Sequence, residues 1–326
     1  MTNKILNHPH FRLLSSIVFF FLIVSFSYKI FLKFKMKYET HNTERLTEIL
    51  VKNTSFDILF IGSSRTHFSI NPSIIDSICG FNSYNLGIEG GDMYEFEMML
   101  KAYLVHHPAP KYLVLNLDMH SFTGDQKIYN YPLYLPFYSK NEVIKSYLST
   151  NGYYKRIYDF FPFLAFSDFD DNTKGFFIKG LLGKTEVYAN DFQYKGYISN
   201  TDNEITDSNF NFPSQYLSIS EFKVNCLNRL IFLCKKSNIN VLFTYAPEYK
   251  QSYQNSVSNK FQIFSLINSI AKANNIPFIR DDTIKISSDP QYFANVTHLN
   301  KLGAKIYSSD FSFRLNYFLN RNQTVK

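Results

Sequence analysis

A glycine, two serines, an arginine and a histidine crowd into Gly62-Ser63-Ser64-Arg65-Thr66-His67. They follow the apolar run Asp57 to Ile61 (DILFI), which has the character of a buried parallel strand. Ligands collect at the carboxyl ends of strands in open α/β sheets. A serine in a strand-to-helix turn presents its hydroxyl and a nearby backbone N–H together, as acyl transfer requires of a nucleophile and an oxyanion donor. Ser64 is therefore the candidate nucleophile, with helix capping as the ordinary alternative for Ser63 or Ser64.

Candidate partners lie elsewhere in the chain. His298, in YFANVTHLNKLGAKIYS, precedes the closing helix and could reach the sheet edge as a general base; His67 and His120 are rivals. Gly87 ends a second apolar run, and its missing side chain would let its N–H approach an incoming carbonyl. Asn116 and Asp118 share a face at the end of a third run. Asn116 could donate to an oxyanion, whereas an ionised Asp118 could not, and strand-end hydrogen bonding is the alternative for both. Arg65 is expected to pair with a carboxylate or support the turn, with substrate binding as the alternative. There is no HExxH, no P-loop and no dinucleotide fingerprint, so the sequence calls for no cofactor and no metal.

The elements that must position these residues read as strand, helix, strand, helix, strand. Asn71 and Pro72 open a helix that Gly80 ends, Phe81 to Leu86 is a strand, and Asp92 caps a helix from Met93 to about Val105. Tyr112 to Leu117 is the third strand. From about residue 120 to 216 the rhythm breaks into aromatic-rich stretches such as YNYPLYLPFY, FPFLAF and GLLGK, read as an inserted subdomain. The alternation then resumes: a helix from Ser220 to Cys234, a strand at Asn240 to Thr244, a helix over about 259–274, a strand at Ile276 to Ile279 and a helix from Lys301 to about Asn320. The expected fold is a three-layer α/β/α sandwich on a parallel sheet.

The chain of 326 residues carries a net charge of +7, and its aromatic content of 18% is all Phe and Tyr, with no Trp. The cations form no long runs, which argues against a nucleic-acid partner. Cys79, Cys226 and Cys234 are odd in number and widely spaced, and read as buried free thiols. Leu13 to Tyr28 is uncharged and, extended past Lys29, approaches the roughly 20 residues that span a bilayer. No small-residue cleavage site follows, so residues 1–38 are expected to form an uncleaved membrane anchor in contact with lipid, and residues 39–326 one large domain. Lys29, Lys33, Lys35 and Lys37 follow the segment and, by the positive-inside rule alone, would favour a cytoplasmic domain.

Together the blocks Gly62-Ser63-Ser64, Asn85-Leu86-Gly87 and Asn295-Val-Thr-His298-Leu-Asn-x-x-Gly303-Ala304 resemble the SGNH (GDSL-like) hydrolase superfamily, over roughly residues 55–118 and 240–315. They are most similar to its membrane-anchored members that act on envelope polymers, such as those of teichoic-acid D-alanylation and polysaccharide O-acetylation. The resemblance implies an SGNH/flavodoxin-like fold, Ser64 as nucleophile, Gly87 in the oxyanion role and His298 as base. It further implies an extracytoplasmic esterase or O-acyltransferase acting on an envelope glycan, or an impaired relative that binds glycan or partners a multi-pass acyltransferase. Two departures stand out: Leu115-Asn116-Leu117-Asp118 replaces the family's Gly-x-Asn-Asp, and Asn295 stands where the triad aspartate belongs, leaving Asp289 or another carboxylate as a substitute.

Overall fold

Five short strands pair in parallel: β1 (Ile58–Ser63), β2 (Ser83–Ile88), β3 (Tyr112–Asn116), β4 (Asn240–Tyr245) and β5 (Phe278–Arg280), in the order β2-β1-β3-β4-β5. This is the order of doubly wound, flavodoxin-like sheets, whose topological switch falls between β1 and β3. The computed structural model describes residues 8–35, 41–168, 174, 193–200, 205, 212–252 and 256–323. The chain divides into two compact units: Met1–Val51 with Asn130–Val187, and Lys52–Tyr129 with Tyr188–Lys326.

The first unit opens with α1 (Pro9–Lys35) and α2 (His41–Leu50). Within α1, Pro9–Ser27 is long and apolar enough to cross a membrane, a property that an anchor shares with a signal sequence, and 6% of it is buried. Of the aromatic stretches expected in the insertion, YNYPLYLPFY folds into short helical turns and FPFLAF lies in the turn Pro162–Asp168. GLLGK lies outside the described residues.

The second unit holds the sheet. Its helices include α3 (Ser64–Ser69), α4 (Pro72–Cys79), α5 (Met93–His106), α6 (Glu221–Lys236), α7 (Lys260–Ala273) and α8 (Lys301–Gln323). Strand alternation divides the apolar residues between two faces. Ile58, Phe60, Tyr112, Val114 and Leu242 form one core with Ile75 of α4 and Tyr307, Phe311, Leu315 and Leu319 of α8. Leu59, Ile61, Leu113, Leu115 and Phe243, also buried, face the opposite way, and α5 and α6 pack together. The fully buried Lys223 of α6 meets Asp92, whose other oxygen caps α5 by accepting from Tyr94 N–H at 2.8 Å. Asn71 accepts from Ser73 N–H, and Gly80 takes the left-handed conformation (φ 71°) that ends α4. The three thiols are free, and burial raises Cys226 and Cys234 to about 12.

The Gly62-to-His67 segment departs from the expected turn. β1 continues through Gly62 and Ser63, which pair with Gly87 and Ile88 of β2, and α3 begins at the next residue. Gly62 and Gly87 are thus neighbours in the ladder, and α3 rests directly on both. A β-carbon on Gly87 would lie 2.3 Å from His67 N, and one on Gly62 would lie 2.1 Å from Thr66 Oγ1 and 2.9 Å from Asn116 Cβ. Backbone cannot yield as a flexible side chain can, so Gly87→Ala should destabilise the fold by about 1–3 kcal/mol. The shift should appear as a lower urea midpoint with an unchanged m-value; a midpoint equal to that of the unsubstituted protein would contradict this packing.

Candidate active site

Ser63 and Ser64 have separate tasks. Ser63 is the N-cap of α3: its Oγ accepts from Arg65 N–H at 3.3 Å and donates to Asp118 Oδ2 at 2.5 Å. Ser64 is the first residue of the helix, half-buried, and its Oγ lies 2.8 Å from His298 Nε2. The two residues are 234 positions apart in the chain and meet at the carboxyl end of β1. His298 sits on a small hairpin, Phe293–Asn295 with His298–Leu299, just before α8, and the Phe68 ring meets its imidazole edge-on at 5.3 Å. Of the other candidate bases, His67 is turned to other contacts. His67 stacks on Phe68 and approaches Glu89 at 3.3 Å, and the backbone of His120 belongs to the Asp118 cap.

Asp118 anchors rather than donates. Its carboxylate accepts from Ser63 Oγ, from His120 N–H at 3.0 Å and from Ser121 Oγ, joining the exits of β1 and β3. Arg65 is buried against the exit of β4: it donates to Ala246 O, lies 4.3 Å from the Tyr245 ring centroid and 3.9 Å from Glu248. Asn116 Oδ1 accepts from Ala246 N–H at 2.7 Å, while its Nδ2 is buried with no acceptor among the described residues. That amide is a donor in reserve at the strand end.

Gly87 requires a correction. Its N–H is not open to an incoming carbonyl but donates to Asn85 Oδ1 at 2.9 Å, and its bare α-carbon accommodates the backbone of α3. Asn85 is the residue sequence reasoning passed over. Fully buried, it donates through Nδ2 to Thr66 O at 2.8 Å and Ile70 O at 2.7 Å, clamping α3 to β2. Period-two alternation within Asn85-Leu86-Gly87 already places the amide and the glycine on one face. Asp289 is likewise no substitute for a triad aspartate, because its two oxygens accept from Gln291 N and Nε2.

Asn295 sets the protonation of His298. Its Oδ1 accepts from Thr297 N–H and His298 N–H, both at 3.0 Å, so the oxygen is fixed by two backbone donors. Rotating the amide would oppose donor to donor. Asn295 Nδ2 therefore faces His298 Nδ1 at 3.0 Å and can only donate. In the neutral ring the proton then resides on Nε2, and the imidazole donates to Ser64 Oγ. A base that takes the serine proton needs the opposite tautomer. Burial first, and then the Arg65 charge, lower the His298 pKa to about 4, against the opposing pull of Glu89 and Asp118, so the ring is neutral at pH 7.

Further along the same sheet edge, the exits of β4 and β5 open onto a cavity of about 480 Å³ lined by Lys250, Lys260, Phe261, Phe264, Arg280 and Asp282, among others. Arg280 donates to both Asp282 oxygens and stacks on Phe264 at 3.6 Å.

No protein-family model and no curated protein sequence matches the chain. Among solved structures, similar chains include a GDSL-like lipase from Bacteroides thetaiotaomicron, at 13% identity and a TM-score of 0.42, covering 86% of this chain and 100% of that one. Another is a catalytic mutant of an acetylxylan esterase from Geobacillus stearothermophilus, at 10% identity and a TM-score of 0.38, covering 82% of this chain and 95% of that one.

The lowered His298 pKa has a consequence for any ester cleavage through Ser64. A protonated imidazole cannot accept the serine proton, so kcat/KM for an activated acetyl ester should fall as pH drops through about 4. An acid limb near the ordinary histidine value of about 6.5 would show instead that His298 titrates as an exposed group.

Proposed function

We propose that this chain is a membrane-anchored serine esterase or O-acyltransferase of the SGNH type, acting on a cell-envelope glycan. The 2.8 Å approach of Ser64 Oγ to His298 Nε2 carries this reading. From the tautomer that carries its proton on Nδ1, His298 takes the serine proton at Nε2 as Ser64 Oγ attacks the acyl carbonyl. The Ser64 N–H and Asn116 Nδ2 take the oxyanion, and the departing sugar hydroxyl recovers the proton, leaving acyl-Ser64. Water or a second sugar hydroxyl then accepts the acyl group. The cavity at the exits of β4 and β5, with its aromatic faces, cations and hydroxyls, suits a saccharide chain extending beyond the reacting centre. α1 holds the domain at the membrane, on the extracytoplasmic side where envelope glycans are modified.

Asn295 favours a second reading. Because its amide stabilises the wrong imidazole tautomer, the domain would bind glycan or dock on a multi-pass acyltransferase without turning over. In serine proteases an aspartate-to-asparagine exchange at the corresponding role costs about 10⁴ in kcat.

Two substitutions separate the two readings. Labelling by a fluorophosphonate probe should be slow in the unsubstituted protein and absent in Ser64→Ala. Asn295→Asp, which puts an acceptor opposite Nδ1, should raise kcat for an activated acetyl ester by about 10²–10⁴. Absence of labelling in both the unsubstituted protein and Asn295→Asp would leave the non-catalytic reading. Alkaline phosphatase fused after residue 326 should be active if the domain lies outside the cytoplasm, and inactive if the lysines after α1 keep it inside.

A further inference from the structure

One stripe of α1 is covered by the chain's own later residues. Phe21 and Val24 are half-buried and Ser25 is buried, at the i, i+3, i+4 spacing of a single helical face. Around them Leu22, Ile23 and Phe26 are exposed. The cover comes from the segment between Ile157 and Asp168, in the same compact unit. Ser25 Oγ donates to Phe160 O at 3.4 Å, and the Phe21 and Phe161 rings stand 5.1 Å apart.

The level of these contacts along α1 matters. Phe21 lies six residues inside the end of the apolar window Pro9–Ser27, about 9 Å at 1.5 Å per residue. A segment docked at that level cannot remain in bulk water if the window spans a bilayer. Its own surface fits the interface: Phe160 is 73% exposed and Ile157 43%, with Lys155 and Arg156 just before them. Half-buried Tyr154 adds an aromatic ring to this basic border, of the kind found where head groups meet acyl chains. The carboxylate next to Phe160, Asp159, is held by Lys145 at 2.9 Å and by the Tyr154 hydroxyl.

We propose that residues 157–168 are a membrane-interfacial segment that docks along α1 and places the Phe160 ring among the lipids. The proposal rests on α1 being a retained anchor, as proposed above, and commits to lipid as the partner of this surface.

The chain contains no Trp, so each introduced Trp is the sole reporter of its kind. Phe160→Trp, Phe19→Trp in α1 and Phe313→Trp on α8 would each be placed in the full chain and reconstituted in phosphatidylcholine vesicles, with and without bromine on the upper acyl chain. All three positions are exposed, so the exchange disturbs no core. Phe160→Trp should emit to the blue and lose intensity to brominated lipid to a degree comparable with Phe19→Trp, while Phe313→Trp should not. Quenching of Phe19→Trp alone would overturn the interfacial segment and leave the anchor standing. Loss of quenching at both Phe19 and Phe160 would overturn the anchor and the segment with it. Equal quenching at Phe160 and Phe313 would show mere adsorption of exposed aromatics and would also overturn the proposal.

Discussion

A helix lying on a sheet normally stands off by the length of the side chains packed between them. At Gly87 that separation collapses and the backbone of α3 touches β2 itself, while at the paired Gly62 of β1 it is the Thr66 side chain that closes in. Everything at the candidate site inherits its position from this contact. α3 is only six residues long, too short to hold a place by helix propensity. It is held from below by the glycine pair, from the side by the Asn85 clamp and at its start by the Ser63–Asp118 bond. Arg65 then braces its first turn against the exit of β4. Only with that short helix fixed does a hydroxyl at its first residue have a definite direction in which to meet an imidazole from the far end of the chain.

The local parts of this architecture could be read from residue order. Asn71-Pro72 with Gly80 delimits α4, and Asp92 marks the start of α5, because caps depend on residues within one turn. The strands came within a few residues of their observed bounds, as apolar runs ended by glycine or a polar residue must. α3 was not legible as a helix. Gly-Ser-Ser-Arg-Thr-His has weak helix propensity, and its helical state depends on β2, a separate segment that supplies both the supporting glycine and the amide clamp. The same non-local dependence explains Gly87. A bare α-carbon at a strand end is compatible with an approaching ligand or an approaching backbone, and only the folded arrangement chooses the second.

Asn295 shows how a side chain can keep the geometry of a site and change its chemistry. Its oxygen caps the turn that carries His298, a task an aspartate would perform equally well. Its second group differs: an amide nitrogen brings hydrogens where a carboxylate brings lone pairs. Position is preserved while the direction of proton donation through the imidazole is reversed. Burial compounds this by holding the ring neutral, so no positive charge forms at rest to attract a partner carboxylate.

The bond between Lys223 and Asp92 joins two helices from parts of the sequence more than a hundred residues apart, with neither charge open to water. Removing either member alone strands an ion in an apolar interior, which costs more than the pair itself contributes. The two positions are therefore energetically coupled. Divergent copies of this fold should either retain both charges or have exchanged both for uncharged residues, and sequences caught between those states should be scarce.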